Sequence, residues 1–461
     1  MKPITAQQLS LSTLISTNRP LRRILTSRDP VMVFFRFLLA GSAGFLALAS
    51  LWFSIQALFP PIAYKKDFLQ EYLMARAVLN GVSPYLPLNE LALTLMGDLP
   101  VPIFPHATPH PPPVVFVSLP FGLLTYLQAA TLWFVLEVAG IFIALYCLSS
   151  TFQRKPGRSV MVATICVALM WNPVKDELIV GQFMTLFLLL MIGAWKSLRA
   201  ERDGLGGVLL GCVIALKLMA WPLILFLAWR RRWRAVAAAG LTALAGNLAA
   251  GFIIGFDQII YYYTVAGKAV VPMYESFERN ISLWTIGNRL FKGTYSEISL
   301  GIEAPPLVLA PAIAPYFSIG IPLLFLLLGL WLAFRAGSFD GAFGILACVS
   351  LLVNPVAWSH YLVLAFIPIT ILIHLTMEMN GLKKWEITAL LGVAFILFES
   401  IGLRTMLFLA LGEPLNSQTP LHVSFAASLV TLLPTASILG LLGMIYHFDR
   451  SRDLIVAKEI A

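Results

Sequence analysis

The sequence predicts an all-α protein, a polytopic bundle of membrane-spanning helices. Three observations predict it. Of 461 residues, 59% are hydrophobic and 12% charged, with a mean hydropathy of +0.84, whereas soluble domains are about half apolar and a quarter charged. Apolar runs near the ~20 residues that cross a bilayer core recur along the chain. The basic residues cluster in short links between those runs, as cytoplasmic loops do.

The runs follow in order at 32–58, 127–150, 233–256, 317–334, 361–378, 385–403 and 422–447. Shorter pieces lie near 159–171, 183–195, 204–216, 218–229 and 341–354. The links "QRKPGRS", "KSLRAERD", "RRRWR", "FRAGSFD", "GLKK" and "DRSRD" hold most of the remaining Lys and Arg. Placing every link inside gives about twelve passages with both termini cytoplasmic. The chain then divides into a cytoplasmic tail at 1–31, a membrane domain at 32–447 and a second tail at 448–461. The long loops at 59–126 and 257–316 fall outside. The first thirty residues carry Arg19, Arg22, Arg23 and Arg28, but no small-residue cleavage site follows, so they read as a tail. The net charge of +9 sits in these links and points to a membrane surface, not nucleic acid. All four cysteines lie inside apolar runs and read as small core residues, not as a disulfide framework or zinc site.

The short pieces point to a site. "GLGGVLLGCVIALKLMAWPLILFLAW" leaves and returns to the basic side in about 26 residues, with Lys217 at its turn. Two full spans need about 40. These helices must stop partway, and irregular backbone at membrane depth is tolerated only beside protein or a wet cavity. Short segments broken by Gly or Pro are the usual sequence mark of a membrane binding site.

The polar residues have plain and functional readings. Asp67 to Gly81 reads as one helix, with Asp67 as N-cap, Gln70 as capping-box partner and Gly81 as the stop. Phe68, Tyr72, Ala75 and Leu79 make an apolar stripe, so the helix is expected to lie on the outer membrane face. A cap alone accounts for Asp67; a carboxylate held for chemistry is the alternative. Glu71, one turn on, is a second carboxylate or a solvated charge. "FPHATPHPPPVVFVSLPFGLL" is too rich in proline for a helix before Val114. His106 and His110 in it lack a third ligand at metal spacing, so rim hydrogen bonds are the default and no metal or cofactor is expected. Lys217 is a snorkelling lysine or a cavity cation. His360, at the break "NPVAWSHY", is a core histidine or a site residue. Asn280 and Ser282 form a glycosylation sequon. Arg289, nine residues on from Asn280, clamps a phosphate or anchors at the interface. Taken together, Asp67, His106, Gln182, Lys217, Asn280, Arg289 and His360 all fall on the outer side of a topology set independently by Lys and Arg.

These residues resemble a family pattern. Asp67, Tyr72, Ala75, Leu79, Gly81, Pro84 and Tyr85 are similar to "D…Y…A…L…G…PY" of the polyprenyl-phosphate-sugar-dependent mannosyltransferases, glycosyltransferase family 87. The proline-rich segment before "LPFGLLTYLQAATLW", Gly181-Gln182, Lys217, "RNISLW…R" and "NPVAWSHY" follow in the same order, across roughly residues 60 to 365. The chain departs from the pattern at Tyr361, where the family often has a second His. The resemblance implies a type C glycosyltransferase fold, with a lipid-linked donor entering from the bilayer and the active site at the outer face. It implies a polyprenyl phosphate sugar as donor and a glycolipid or glycan as acceptor. Asp67 and His360 are then the expected catalytic residues. Glu71, Tyr85, His106, His110, Gln182, Lys217, Asn280 and Arg289 are the expected substrate-binding ones. In that scheme a carboxylate beside the anomeric carbon takes the acceptor's proton, and cations offset the charge on the leaving phosphate. A transporter or flippase of lipid-linked sugars is the competing class, and a non-catalytic envelope scaffold a third. Neither an internal repeat nor a two-sided polar path, which alternating access usually needs, is visible in the sequence.

Overall fold

The computed structural model describes residues 30–151, 157–295, 301–379, 381–413 and 421–460. Most of the expected tail at 1–31 therefore lies outside the described residues. What is described is helical almost throughout. The strands are one short parallel pair, β1 (Ile302–Glu303) with β2 (Leu421–His422). The all-α expectation holds.

Helices occupy most of the apolar runs, the run at 422–447 being split at Thr431 and Leu432, and others form in stretches read as loops. They are α1 (Pro30–Gln56), α2 (Phe68–Leu79), α3 (Leu88–Met96), α4 (Tyr126–Ser149), α5 (Arg158–Met170) and α6 (Asn172–Val180). The middle of the chain forms α7 (Met184–Arg199), α8 (Asp203–Leu216), α9 (Trp221–Trp229) and α10 (Trp233–Ile254). After α11 (Gly267–Tyr274) and α12 (Thr285–Phe291) come α13 (Ala314–Arg335), α14 (Phe339–Leu352) and α15 (Phe366–Met377). The chain ends in α16 (Lys384–Ala410), bent by 91° after Phe398, and α17 (Leu433–Ile460). Among the described residues, five helices are long and apolar enough to cross a bilayer, or six if the bent α16 counts as one. Four shorter apolar helices, α5, α8 and α14 among them, accompany these.

Close helix contact explains how short pieces pack at depth. α8 lies along α10. A Cβ at Gly207 would meet the Ala235 carbonyl at 2.3 Å, and one at Gly211 the Ala239 carbonyl at 2.6 Å. Small residues four apart let two backbones approach where water gives no hydrophobic push. The outward faces of α1, α10 and α13 carry exposed Phe37, Phe45, Leu241, Phe252 and Leu324, as lipid contact requires.

α2 corrects one expectation. Nine of its twelve residues are buried, including Gln70 and Glu71. It does not lie on a surface with a wet face. It threads between the 119–123 turn and α4, and Gly122 sits so tightly on Ala75 that a Cβ there would meet Ala75 Cβ at 2.9 Å.

Candidate active site

The start of α2 is built differently from a capped helix. Asp67 already has helical backbone angles (φ −63°, ψ −27°) and its side chain makes no capping bond. A cap needs extended backbone at that position. Here Lys66 is the extended residue (ψ 141°), and the Asp67 carboxylate is turned off its own helix. Gln182 receives it. The Gln182 amide donates to Asp67 Oδ2 at 3.1 Å. The capping-box expectation for Asp67 and Gln70 is therefore wrong.

Gly181 makes that contact possible. It ends α6 in a left-handed conformation (φ +71°), and a Cβ there would meet Phe68 Cβ at 3.1 Å and Lys66 Cε at 3.2 Å. Glycine takes this φ at no steric cost. Lys66 closes the same junction from the other side. Its ammonium donates to the carbonyls of Leu178 and Ile179, at 2.9 and 2.6 Å, where the negative end of α6 favours a cation. Burial lowers the Lys66 ammonium to about 8, opposed by Glu137, Glu177 and Asp67. Two ties thus fix the start of α2 against the end of α6.

Burial also raises the Asp67 carboxyl to about 6. The Gln182 hydrogen bond opposes that, Glu71 adds to it, and His110 and Lys217 pull the other way. Glu71 is itself buried and meets His110 at 2.8 Å, Oε1 to Nε2. The contact is close but does not form an aligned hydrogen bond. Tyr85 supports this pair from behind, its hydroxyl donating to the His110 carbonyl at 3.2 Å.

Lys217 is where α8 stops. Its backbone is extended (φ −165°, ψ 127°), and α9 begins only at Trp221. Its ammonium stands 4.1 Å from the centre of the Tyr361 ring, a cation–π contact, and within electrostatic reach of Asp67. His360 is buried beside Tyr361, with ring centres 4.9 Å apart. Among the described residues, His360 Nε2 has no hydrogen-bond partner. Its neighbour Ser359 donates to Asp176 Oδ2 at 2.6 Å, anchoring this turn to α6.

The structure therefore gathers Asp67, Glu71, His110, Gln182 and Lys217, with His360 next to them through Tyr361. Three other expected residues lie in a supporting layer. His106 bonds the Ala107 carbonyl through Nδ1 at 2.8 Å and the Tyr274 hydroxyl through Nε2 at 3.0 Å. His106 and His110 thus have different partners. Asn280 is buried and makes four backbone bonds, donating to Tyr274 and Pro355 and accepting from Ser282 and Ala357. That leaves no room for a glycan on the sequon. Arg289 is buried and donates to Thr285, Ser428, Thr431, Glu278 and Asn280.

Sequence reading missed three buried ionisable residues here. Glu177 Oε1 accepts from the backbone of Met184 and Thr185, at 2.6 and 3.2 Å, capping α7 from α6. Glu137 is buried within the α4 span, near Glu177 and Lys66. Lys66 is the third. The signal for Glu137 was present: an ionisable residue inside an apolar run marks function or a partner by default.

Comparison with known proteins gives the chain its family. The profile of glycosyltransferase family 87 matches residues 108–355. A polyprenol-phosphate-mannose-dependent alpha-(1-2)-phosphatidylinositol pentamannoside mannosyltransferase of Mycolicibacterium smegmatis is 27% identical over 311 residues, covering 64% of this chain and 69% of its own. The Mycobacterium tuberculosis protein of the same name is 27% identical over 372 residues, covering 77% and 78%. An alpha-(1->3)-arabinofuranosyltransferase of M. tuberculosis is 29% identical over 153 residues, covering 32% of this chain and 35% of its own. No solved structure matches. The chain belongs to glycosyltransferase family 87 and is a membrane glycosyltransferase.

Proposed function

We propose that the enzyme moves a sugar, mannose, from a polyprenyl phosphate donor to a hydroxyl of a glycolipid or glycan acceptor. The cell membrane holds the chain as a multi-pass protein, with the site on the extracytoplasmic face. The observation that carries this reading is the Asp67 carboxylate, half-buried, turned away from its own helix and held by Gln182.

The chemistry follows from the residues. Asp67 accepts the proton of the acceptor hydroxyl as that oxygen bonds to the anomeric carbon. The bond from that carbon to the lipid phosphate oxygen breaks, its electron pair leaves with the phosphate, and the anomeric centre inverts. A carboxyl held near 6 by burial is ionised at neutral pH and still basic enough to take a proton. The leaving phosphate gains charge and needs a fixed cation. Lys217 fills that role at the break between α8 and α9, while Lys66 is occupied by two carbonyls. His360 stands beside Lys217 and Tyr361 with an unpaired ring nitrogen, positioned for a hydroxyl or phosphate oxygen. Glu71, one turn along α2, and His110 lie within electrostatic reach of Asp67. Asn280 and Arg289 keep the outer loops in place.

The test is direct transfer. Purified protein in liposomes, given polyprenyl phosphate mannose and a mannosyl glycolipid, should yield an elongated glycolipid and polyprenyl phosphate in equal amounts. A transporter would move the donor between leaflets and leave it intact; that result would sink the reading.

A further inference from the structure

Two half-buried aromatic rings on the outer loops have no role in the scheme above. Tyr274 ends α11 and Trp358 opens the turn that carries His360; their rings stand 5.2 Å apart at 88°. Phe277 packs edge-on behind Trp358, with centres 5.6 Å apart. Both rings are partly exposed.

The rings are held with unusual care. The single Asn280 side chain donates to the carbonyls of Tyr274 and Pro355, at 3.1 and 3.0 Å, and accepts from the Ala357 amide at 3.0 Å. One buried amide thus clamps the Tyr274 loop to the Trp358 loop. The Tyr274 hydroxyl is fixed as well. His106 Nδ1–H donates to the Ala107 carbonyl, so Nε2 is an acceptor, and Tyr274 donates its proton there. The phenol oxygen keeps a lone pair for another donor. The Tyr274 phenol also lies within electrostatic reach of Asp67.

Rigid aromatic faces beside a fixed hydroxyl suit a ligand with an apolar face and polar edges. A pyranose ring is such a ligand. No cation touches either ring among the described residues. On the Tyr361 side, by contrast, Lys217 lies over the ring and is a partner for the donor phosphate. We propose that Tyr274 and Trp358 form the subsite for the acceptor's terminal pyranose, with the Tyr274 hydroxyl receiving one sugar O–H. This rests on the transferase reading. Asn280 and His106 become positioning residues for that subsite.

The test uses the full-length protein in liposomes, with polyprenyl phosphate mannose as donor and octyl α-mannopyranoside as acceptor probe. Trp358→Ala should raise the KM for the probe about tenfold or more and leave the donor KM within about twofold, the size of one lost aromatic contact. Trp358→Phe, which keeps a ring and the packing, should fall between. Tyr274→Phe should raise the probe KM less than Tyr274→Ala. A rise in donor KM instead would assign the rings to the donor sugar and overturn the proposal. Unchanged values for both would also overturn it.

The transferase reading is tested separately, because wild-type protein that transfers no sugar would fail it. The subsite is then read from binding alone, by calorimetric titration of the Asp67→Asn protein with octyl α-mannopyranoside. Binding that Trp358→Ala weakens about tenfold supports the subsite. Absent binding, or binding indifferent to Trp358, contradicts it.

Discussion

Gln182 donates to Asp67 across 3.1 Å, joining two positions 115 residues apart in the chain. This bond does what a helix cap was expected to do: it holds the carboxylate still. It does so from outside the helix, which in the proposed mechanism leaves the second oxygen of the carboxylate for a substrate.

Gln182→Ala should therefore impair chemistry without unfolding the protein. A lost orienting bond and small misplacement cost up to about 10²-fold in rate. We expect kcat to fall roughly 10- to 100-fold at normal expression, measured by transfer in liposomes. Because the bond favours the charged carboxylate, its loss should also move the acidic limb of the pH profile upward.

The pH dependence of the wild-type enzyme has a definite sign. Burial lifts Asp67 to about 6, and only the ionised carboxylate can take a proton. Activity should be full above that value and fall about tenfold per pH unit below it. A profile of kcat/KM flat down to pH ~4.5 would remove Asp67 as the base.

Lys217→Met removes the cation at the α8–α9 break but keeps the length of the side chain. It should cost about 10²–10³-fold in kcat/KM, the scale of one lost charge-stabilising group. The loss should appear with every acceptor, because it concerns the donor phosphate. Polyprenyl phosphate should also bind the variant more weakly, as read by product inhibition.

Arg289 separates structure from chemistry. Four of its five hydrogen bonds tie α12 to Ser428, Thr431 and the 278–280 loop, and the fifth reaches Thr285 within α12. Burial lowers its guanidinium to about 10. Arg289→Ala should destabilise the protein by roughly 2–5 kcal/mol, since it strands buried carbonyls. Thermal unfolding should show the loss, while the folded fraction keeps its donor KM.

Much of the fold was legible because Gly, Pro and lone charges punctuate the apolar runs. Lys217 marked the break between α8 and α9, and Gly81 follows the last turn of α2. The burial of α2 was not legible. Its stripe of Phe68, Tyr72, Ala75 and Leu79 meets the turn at 119–123, and nothing local reveals that His110 covers the face carrying Glu71. The same limit applies to Asp67. Its type and place suggested a cap, but the direction of its carboxylate depends on Gln182, far away in sequence. Asn280 and Arg289 stood out as polar residues in an outer loop, yet sequence spacing carries no information on whether such groups face a cavity or brace a neighbouring loop. Placement of the basic links supports the topology. A Cys at exposed Asn89 should be labelled from outside intact cells, and a Cys at Ser451 should not.

The most direct measurement is sugar transfer by Asp67→Asn. The Asp67 side chain makes no capping bond, so the exchange removes only a charge and a base, and the Asn carbonyl can still accept from Gln182. The protein should express and unfold as the wild type does. Transfer from polyprenyl phosphate mannose should drop about 10²–10⁴-fold. Near-full transfer by a normally folded Asp67→Asn protein would contradict the account and move the search for the base elsewhere.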